Sequence, residues 1–322
     1  MKNLRLITLF ATAGAAFAAD LPHPALLALN KEGTLAIVNP ETKQVIAKVK
    51  VGDQPHETAA TPDGKLAFVS NYGGSTPGST ISVIDLAEQK EIHRVDLGSM
   101  RRPHGLAVFD GKLYFTCEVN KIIGRYDPAT NQIDWLLGTG QDQTHMIALN
   151  HDGNEIYTAN ISGNTISVID RNGAASWTVN SIPVGKGPEG FDVTPDGKEL
   201  WAAGSKDGTV TVIDLAMKRV KATFNVQTKR SNRLKFTPDG KLALISDLDA
   251  GELLILERDT RKELKRVKLG KEPAGILIPA DGARAYVAVT GDSNIAVIDL
   301  KTFELKDRLQ TGQNPDGMAW VK

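Results

Sequence analysis

Three of the chain's six histidines, His56, His104 and His145, hold one place in a recurring phrase. Each follows a short turn that opens at a glycine, and each precedes an Asp-Gly turn. In the other copies that place is taken by Glu189, Asn232, Ala274 and Asp316. Imidazole suits Zn, Cu, Fe or Ni. Three imidazoles converging at about 2.0–2.1 Å on one ion leave its fourth position open, which is the pattern of a catalytic rather than a closed structural centre. Glu189 is then the candidate proton-transfer residue or a further ligand, and Asp316 the candidate partner for the outer nitrogen of His56. Without a metal, the same groups line a polar ligand pocket, or simply hydrogen-bond backbone and water.

Residues so far apart act together only if the fold collects them, and the repeat indicates how. Its glycines fall at Gly52, Gly98, Gly140, Gly185, Gly270 and Gly312, with Gln227 in the vacant place. Each unit runs from an apolar stretch through an Asp-Gly turn to further strand-like stretches, and several end in Val-Ile-Asp. A period of about 40–50 residues with several short strands per unit marks a β-propeller, one repeat to a blade. In the first full repeat the strands are expected at Glu57–Thr61, Leu66–Asn71, Thr80–Leu86 and Glu91–Leu97. Three strand-like stretches precede that repeat (26–29, 34–39 and 44–51) and one follows the last (315–321). Three and one make a blade, so seven four-stranded antiparallel blades are expected, closed by the C-terminal strand. The aspartates of the Pro-Asp-Gly and Val-Ile-Asp elements read as turn formers rather than acids.

The motifs Phe68-Val69-Ser70-Asn71 and Tyr157-Thr158-Ala159-Asn160, with Thr-Pro-Asp-Gly and Val-Ile-Asp-Leu, resemble the YVTN β-propeller repeat family, of which bacterial YncE proteins are typical. The resemblance covers nearly the whole chain after the leader. It implies an exported seven-bladed binding protein and carries over no catalytic residue.

In the circular order of such a ring, Asp316, His56, His104, His145, Glu189, Asn232 and Ala274 follow one another, so the three histidines stand side by side between two carboxylates. The loops on the same face add Arg101, Arg102, Arg230 and Arg233, which suit a carboxylate or phosphate. They also add Glu57, Asn71, Glu118, Asn160, Lys186 and Asp247 as candidates for binding.

Lys2 and Arg5, the apolar stretch 6–17 and Ala16-Phe17-Ala18 read as a secretory signal peptide cleaved after Ala18, leaving residues 19–322 as one domain in the periplasm or medium. The apolar run is too short for a membrane span. Cys117 is the only cysteine, so no internal disulfide forms. The 38 Lys and Arg balance 38 Asp and Glu, which gives no global pull on nucleic acid. The basic run Arg258–Lys268 is expected at a third-to-fourth strand turn and on an outer strand, where charge blocks edge pairing. Phosphate-loop, haem-attachment, zinc-protease and nucleophile-elbow motifs are absent. The expectation is a monomeric propeller that binds a small molecule or a divalent metal (Zn, Cu or Fe) at the channel mouth. The alternatives are a metal-assisted, lactonase-like hydrolase or lyase with Glu189 as the catalytic group, and a platform for a periplasmic protein partner.

Overall fold

A computed structural model describes residues 21, 23–173 and 176–322. The proposed signal peptide, 1–18, lies outside the described residues. Among those residues no helix is long and apolar enough to cross a membrane.

Seven four-stranded antiparallel sheets form the ring. Blade 1 contains Pro55–Ala60, Leu66–Asn71, Thr80–Asp85 and Lys90–Asp96, from the axis outward. Blades 2 to 6 repeat this order along the chain. Blade 7 joins the C-terminal strand Pro315–Val321 to Ala25–Asn30, Thr34–Asn39 and Gln44–Lys50. Its closing pairs include Leu26 with Trp320 and Leu27 with Ala319, so the expected closure by the C-terminal strand is present.

Burial follows from a blade's position between two neighbours. Middle strands are covered on both faces and carry continuous apolar runs, as in Leu253–Leu256, all nearly inaccessible. Outer strands alternate, as in Gln132–Gly138, because one face meets solvent. The core is therefore divided among seven interfaces. One of these packs Phe68, Ile81 and Val83 of blade 1 against Phe115, Cys117 and Tyr126 of blade 2.

The turns hold the repeat in register. Thr61 Oγ1 donates to Asp63 Oδ1 at 2.6 Å and accepts from the Leu66 amide at 3.0 Å, and the set recurs at Thr194 and Thr237. Asp85, Asp214 and Asp299 accept amides two or three residues on. Asp170 differs, pairing with Lys218 and accepting from Asn180. Part of the basic run forms the outer strand Glu263–Lys268.

One boundary moves. The innermost strand of blade 1 begins at Pro55, two residues before the expected start, because pairing resumes across an irregularity.

Candidate ligand site at the channel mouth

The irregularity recurs in all seven innermost strands. In blade 1, Pro55 pairs with Asn71 and Thr58 with Val69, so His56 and Glu57 together face the single residue Ser70. Equivalent register shifts occur at His104, His145, Glu189, Asn232, Ala274 and Asp316. A β-bulge re-aims a side chain out of the alternation. The bulged amide then needs another acceptor, and the second strand supplies a hydroxyl: Glu57 N–H donates to Ser70 Oγ at 3.0 Å, Gly105 N–H to Thr116 Oγ1 at 2.9 Å and Arg233 N–H to Ser246 Oγ at 3.0 Å. Thr116 and Ser246 in turn donate to the carbonyls of His145 and Ala274 in the next blade. The motif hydroxyls thus set the spacing of the ring.

Neighbouring innermost strands also come too close for side chains on both. A Cβ on Gly105 would lie 2.5 Å from the His145 carbonyl oxygen, and one on Gly317 would lie 2.6 Å from that of His56. At the matching place blades 1 and 5 carry Glu57 and Arg233.

The three histidines are brought together, with His104 face to face with His145 and edge-on to His56 rather than as a chelating fan. His56 Nδ1 lies 3.2 Å from His104 Nε2. The His104 and His145 rings are 3.6 Å apart, centre to centre, at 31°. The tilted, overlapping His104 and His145 rings hold their in-plane lone pairs side by side, so simple convergence of all three on one point is not the arrangement found. His145 Nδ1 hydrogen-bonds Glu118 Oε1, whose other oxygen accepts from the Tyr72 hydroxyl at 2.7 Å. Tyr72 stacks on His56 at 4.2 Å. His104 Nδ1 and His145 Nε2 are buried without a hydrogen-bond partner. Ligating atoms of His104, Glu118 and His145 all lie within 4.8 Å of one another.

Burial lowers the pKa of His56 to about 4, against an opposing pull from Asp316. Burial, with the neighbouring imidazoles, drives that of His104 well below the ordinary value. Both rings are neutral at pH 7. Burial disfavours the Glu118 carboxylate, but the bonds from His145 and Tyr72 outweigh it and hold its pKa below the usual range.

An ion pair crosses the channel: Arg233 of blade 5 meets Glu57 of blade 1, with side chains only 6% and 11% exposed. Burial opposes the Arg233 charge, yet Glu57, Asp316 and Glu189 together raise its pKa. Asp316 pairs with Lys31 at 3.0 Å and stays 4.0 Å from His56, so its first partner is the lysine. Glu189 accepts from Asn232 at 2.5 Å. Around these groups lies a cavity of about 510 Å3, lined also by Lys206, Arg230, Glu272 and Ala274. A larger depression of about 660 Å3 lies by the turns at Asp196 and Arg258. None of the ring residues lines it.

The other candidates separate into rim and scaffold. Arg102 lies over the Tyr72 ring at 4.5 Å and donates to the Gly74 carbonyl, which places it behind the site. Arg101 turns back to the carbonyls of Gly98 and Met100. Asn71 and Asp247 accept the amides of Gly52 and of Lys229 and Arg230. Asn160 donates to Thr165 and Ser167 of its own blade. All three anchor scaffold rather than face the cavity.

Sequence reasoning did not single out Lys31 and Tyr72. With Glu118 they belong to a second ring, the residue just after each second strand: Lys31, Tyr72, Glu118, Ile161, Ser205, Leu248 and Thr290. In six of the seven, its amide donates to a carbonyl at the entry of its own innermost strand, as in Lys31 to Asn314 and Glu118 to Arg102. Aligning the repeat on that register would have revealed it.

A family model described as a YNCE-like beta-propeller matches residues 141–320. Antigen Lp49 of Leptospira interrogans serogroup Icterohaemorrhagiae serovar copenhageni (strain Fiocruz L1-130) is 29% identical over 100 residues, covering 31% of this chain and 22% of that protein. The match thus spans about a fifth of that relative's length. Among solved structures, a chain of Kuenenia stuttgartiensis hydrazine synthase superposes with a TM-score of 0.67 at 23% identity, covering 82% of this chain and 89% of that one. A protein of unknown function from Desulfotomaculum acetoxidans DSM 771 gives 0.78 at 12% identity over 92% and 98%. At such identities these likenesses speak for the fold alone. The family match covers more than half of a closed seven-bladed ring, and the chain belongs to the YNCE-like beta-propeller family.

Proposed function

We propose that this chain is an exported propeller that binds a divalent transition-metal ion at the histidine cluster of the channel mouth. The observation that carries the reading is the pair of buried, unpartnered imidazole nitrogens, His104 Nδ1 and His145 Nε2. Each costs about 1–3 kcal/mol unless something satisfies it. Ligating atoms of Glu118 lie within 4.8 Å of those of both histidines, which offers the ion a carboxylate oxygen as well. Neutral imidazoles are the form that ligates.

The cavity lining carries Lys31, Lys206, Arg230 and Arg233 against Glu189, Glu272 and Asp316, and two further carboxylates beside it, Glu57 and Glu118, are bonded to Arg233 and His145. His104 and His145 are the first ligands on this reading, through their two unpartnered nitrogens, and the rings must turn out of their stack for both to face one ion. Glu118 or His56 supplies a further donor. Glu189 stays bonded to Asn232, so binding rather than catalysis is proposed. Export rests on the basic, apolar and small-residue pattern of the first 18 residues.

The test is calorimetric titration of metal-depleted protein with Zn2+, and with Co2+ for its visible spectrum. One equivalent should bind at about micromolar affinity or tighter. His104→Ala should abolish binding, and His93→Ala, on an outer strand, should not. Absence of stoichiometric binding, or binding indifferent to His104→Ala, refutes the proposal.

A further inference from the structure

The histidines occupy blades 1 to 3, and the rest of the cavity wall belongs mainly to blades 4 to 6. The ring residue of blade 6 is Ala274, whose short side chain leaves room beside Leu248 and Thr290. Arg230 stands at the same wall with its backbone amide fixed by the fully buried Asp247 at 2.9 Å. Its guanidinium has one carboxylate near it, Asp249 at 3.8 Å, and both side chains are more than half exposed. By contrast Lys31 and Arg233 are committed to close ion pairs with Asp316 and Glu57. Lys206 also lines the cavity and makes no ion pair among the described residues. The uncommitted positive charge is therefore concentrated on Arg230 and Lys206.

The width of the channel limits what can connect the two sides. One arginine and one glutamate side chain meet across it between blades 5 and 1. A ligand of a few heavy atoms is enough to reach from the histidines to the opposite wall. Charge specifies its sign, since the lining cations already outnumber the lining carboxylates by four to three and a divalent ion adds further positive charge, which an anion offsets.

On the reading that the histidines hold a metal, we infer that the site takes a small organic monocarboxylate together with the ion, its carboxylate received by Arg230 and Lys206 beside Ala274. Arginine pairs with a carboxylate in bidentate fashion, and the ion offers its remaining coordination position to a second donor of the same molecule. An α-hydroxy acid has both groups on adjacent carbons.

The experiment is equilibrium dialysis of radiolabelled lactate against the full chain, with one equivalent of Zn2+ and without it, for the native protein and Arg230→Gln. Lactate should bind one to one only when zinc is present. Arg230→Gln should weaken it about ten- to a hundredfold, as loss of a charge-assisted pair implies, and the neutral lactamide should not compete. Zinc affinity of both proteins is measured separately by calorimetry, and circular dichroism establishes that the variant is folded. Zinc binding without lactate binding overturns this inference alone. Lactate binding that is equal in Arg230→Gln, or that lactamide displaces equally well, also overturns it. If zinc itself does not bind, the metal reading falls and this inference with it.

Discussion

Replacing Arg233 by Met is the severest single test of how the channel is held. Arg233 and Glu57 are almost inaccessible, so water and salt screen their charges little. Removing one partner of such a pair costs about 3–5 kcal/mol, because the other charge stays buried. Glu57→Gln should cost less, since Asp316 and Glu189 still favour the Arg233 charge. The double variant removes both charges and should recover part of the loss, giving a coupling of at least about 2 kcal/mol. The pH dependence has a definite sign. Burial raises the Glu57 pKa, and removing the guanidinium takes away the main influence that opposes that rise. A carboxyl with a raised folded pKa favours the fold below its unfolded pKa and loses that contribution as pH rises through the folded value. The deficit of Arg233→Met should therefore be largest near neutrality and shrink towards pH 4. Urea unfolding at several pH values measures it. Additive single and double variants, or a deficit that does not change with pH, would refute the argument.

The depressed His56 pKa, about 4, predicts that stability is complete above pH 6.5 and falls as pH drops, by about 2 kcal/mol at pH 5, where the unfolded histidine is protonated. Denaturant unfolding of His56→Gln should show a flatter slope over that range, and an unchanged slope would contradict the burial argument. Gly105→Ala would put a Cβ 2.5 Å from the His145 carbonyl oxygen and 2.8 Å from the Ile147 nitrogen, both backbone atoms. Its unfolding free energy should fall by about 1–3 kcal/mol, and a neutral result would mean that the two blades can part freely. Removing residues 315–322 strips the innermost strand from blade 7 and exposes the wholly buried edge Ala25–Leu29. That chain should aggregate or lose its circular dichroism signature, whereas a soluble monomer with native melting would argue against closure by the terminal strand.

The turns were legible because their chemistry is local. Thr61, Asp63 and Gly64 hydrogen-bond within a few residues of one another, so the pattern carries its own geometry. The ring of His56, His104 and His145 was legible because every blade offers the same position, and comparing copies picks out what varies there. The bulge was less visible, since nothing in Pro55-His56-Glu57 states that two residues will oppose one. It depends on Ser70 receiving the freed amide. Tyr72 was passed over because it opens a loop, and only the packing of blade 1 on blade 2 sets its ring on His56 and its hydroxyl on Glu118.

The sequence by itself determined the number of blades, their closure and the residues that meet at the axis, because repeat period, turn chemistry and alternation are properties of neighbours along the chain. Only the tertiary structure decided how those residues pair. It stacked His104 on His145 where three converging ligands were expected, gave Asp316 to Lys31 before His56, and joined Glu57 to Arg233 across 176 positions of chain. Such choices depend on distances of a few ångströms between blades, and on which charges lose water together. Neither is set until the ring has closed.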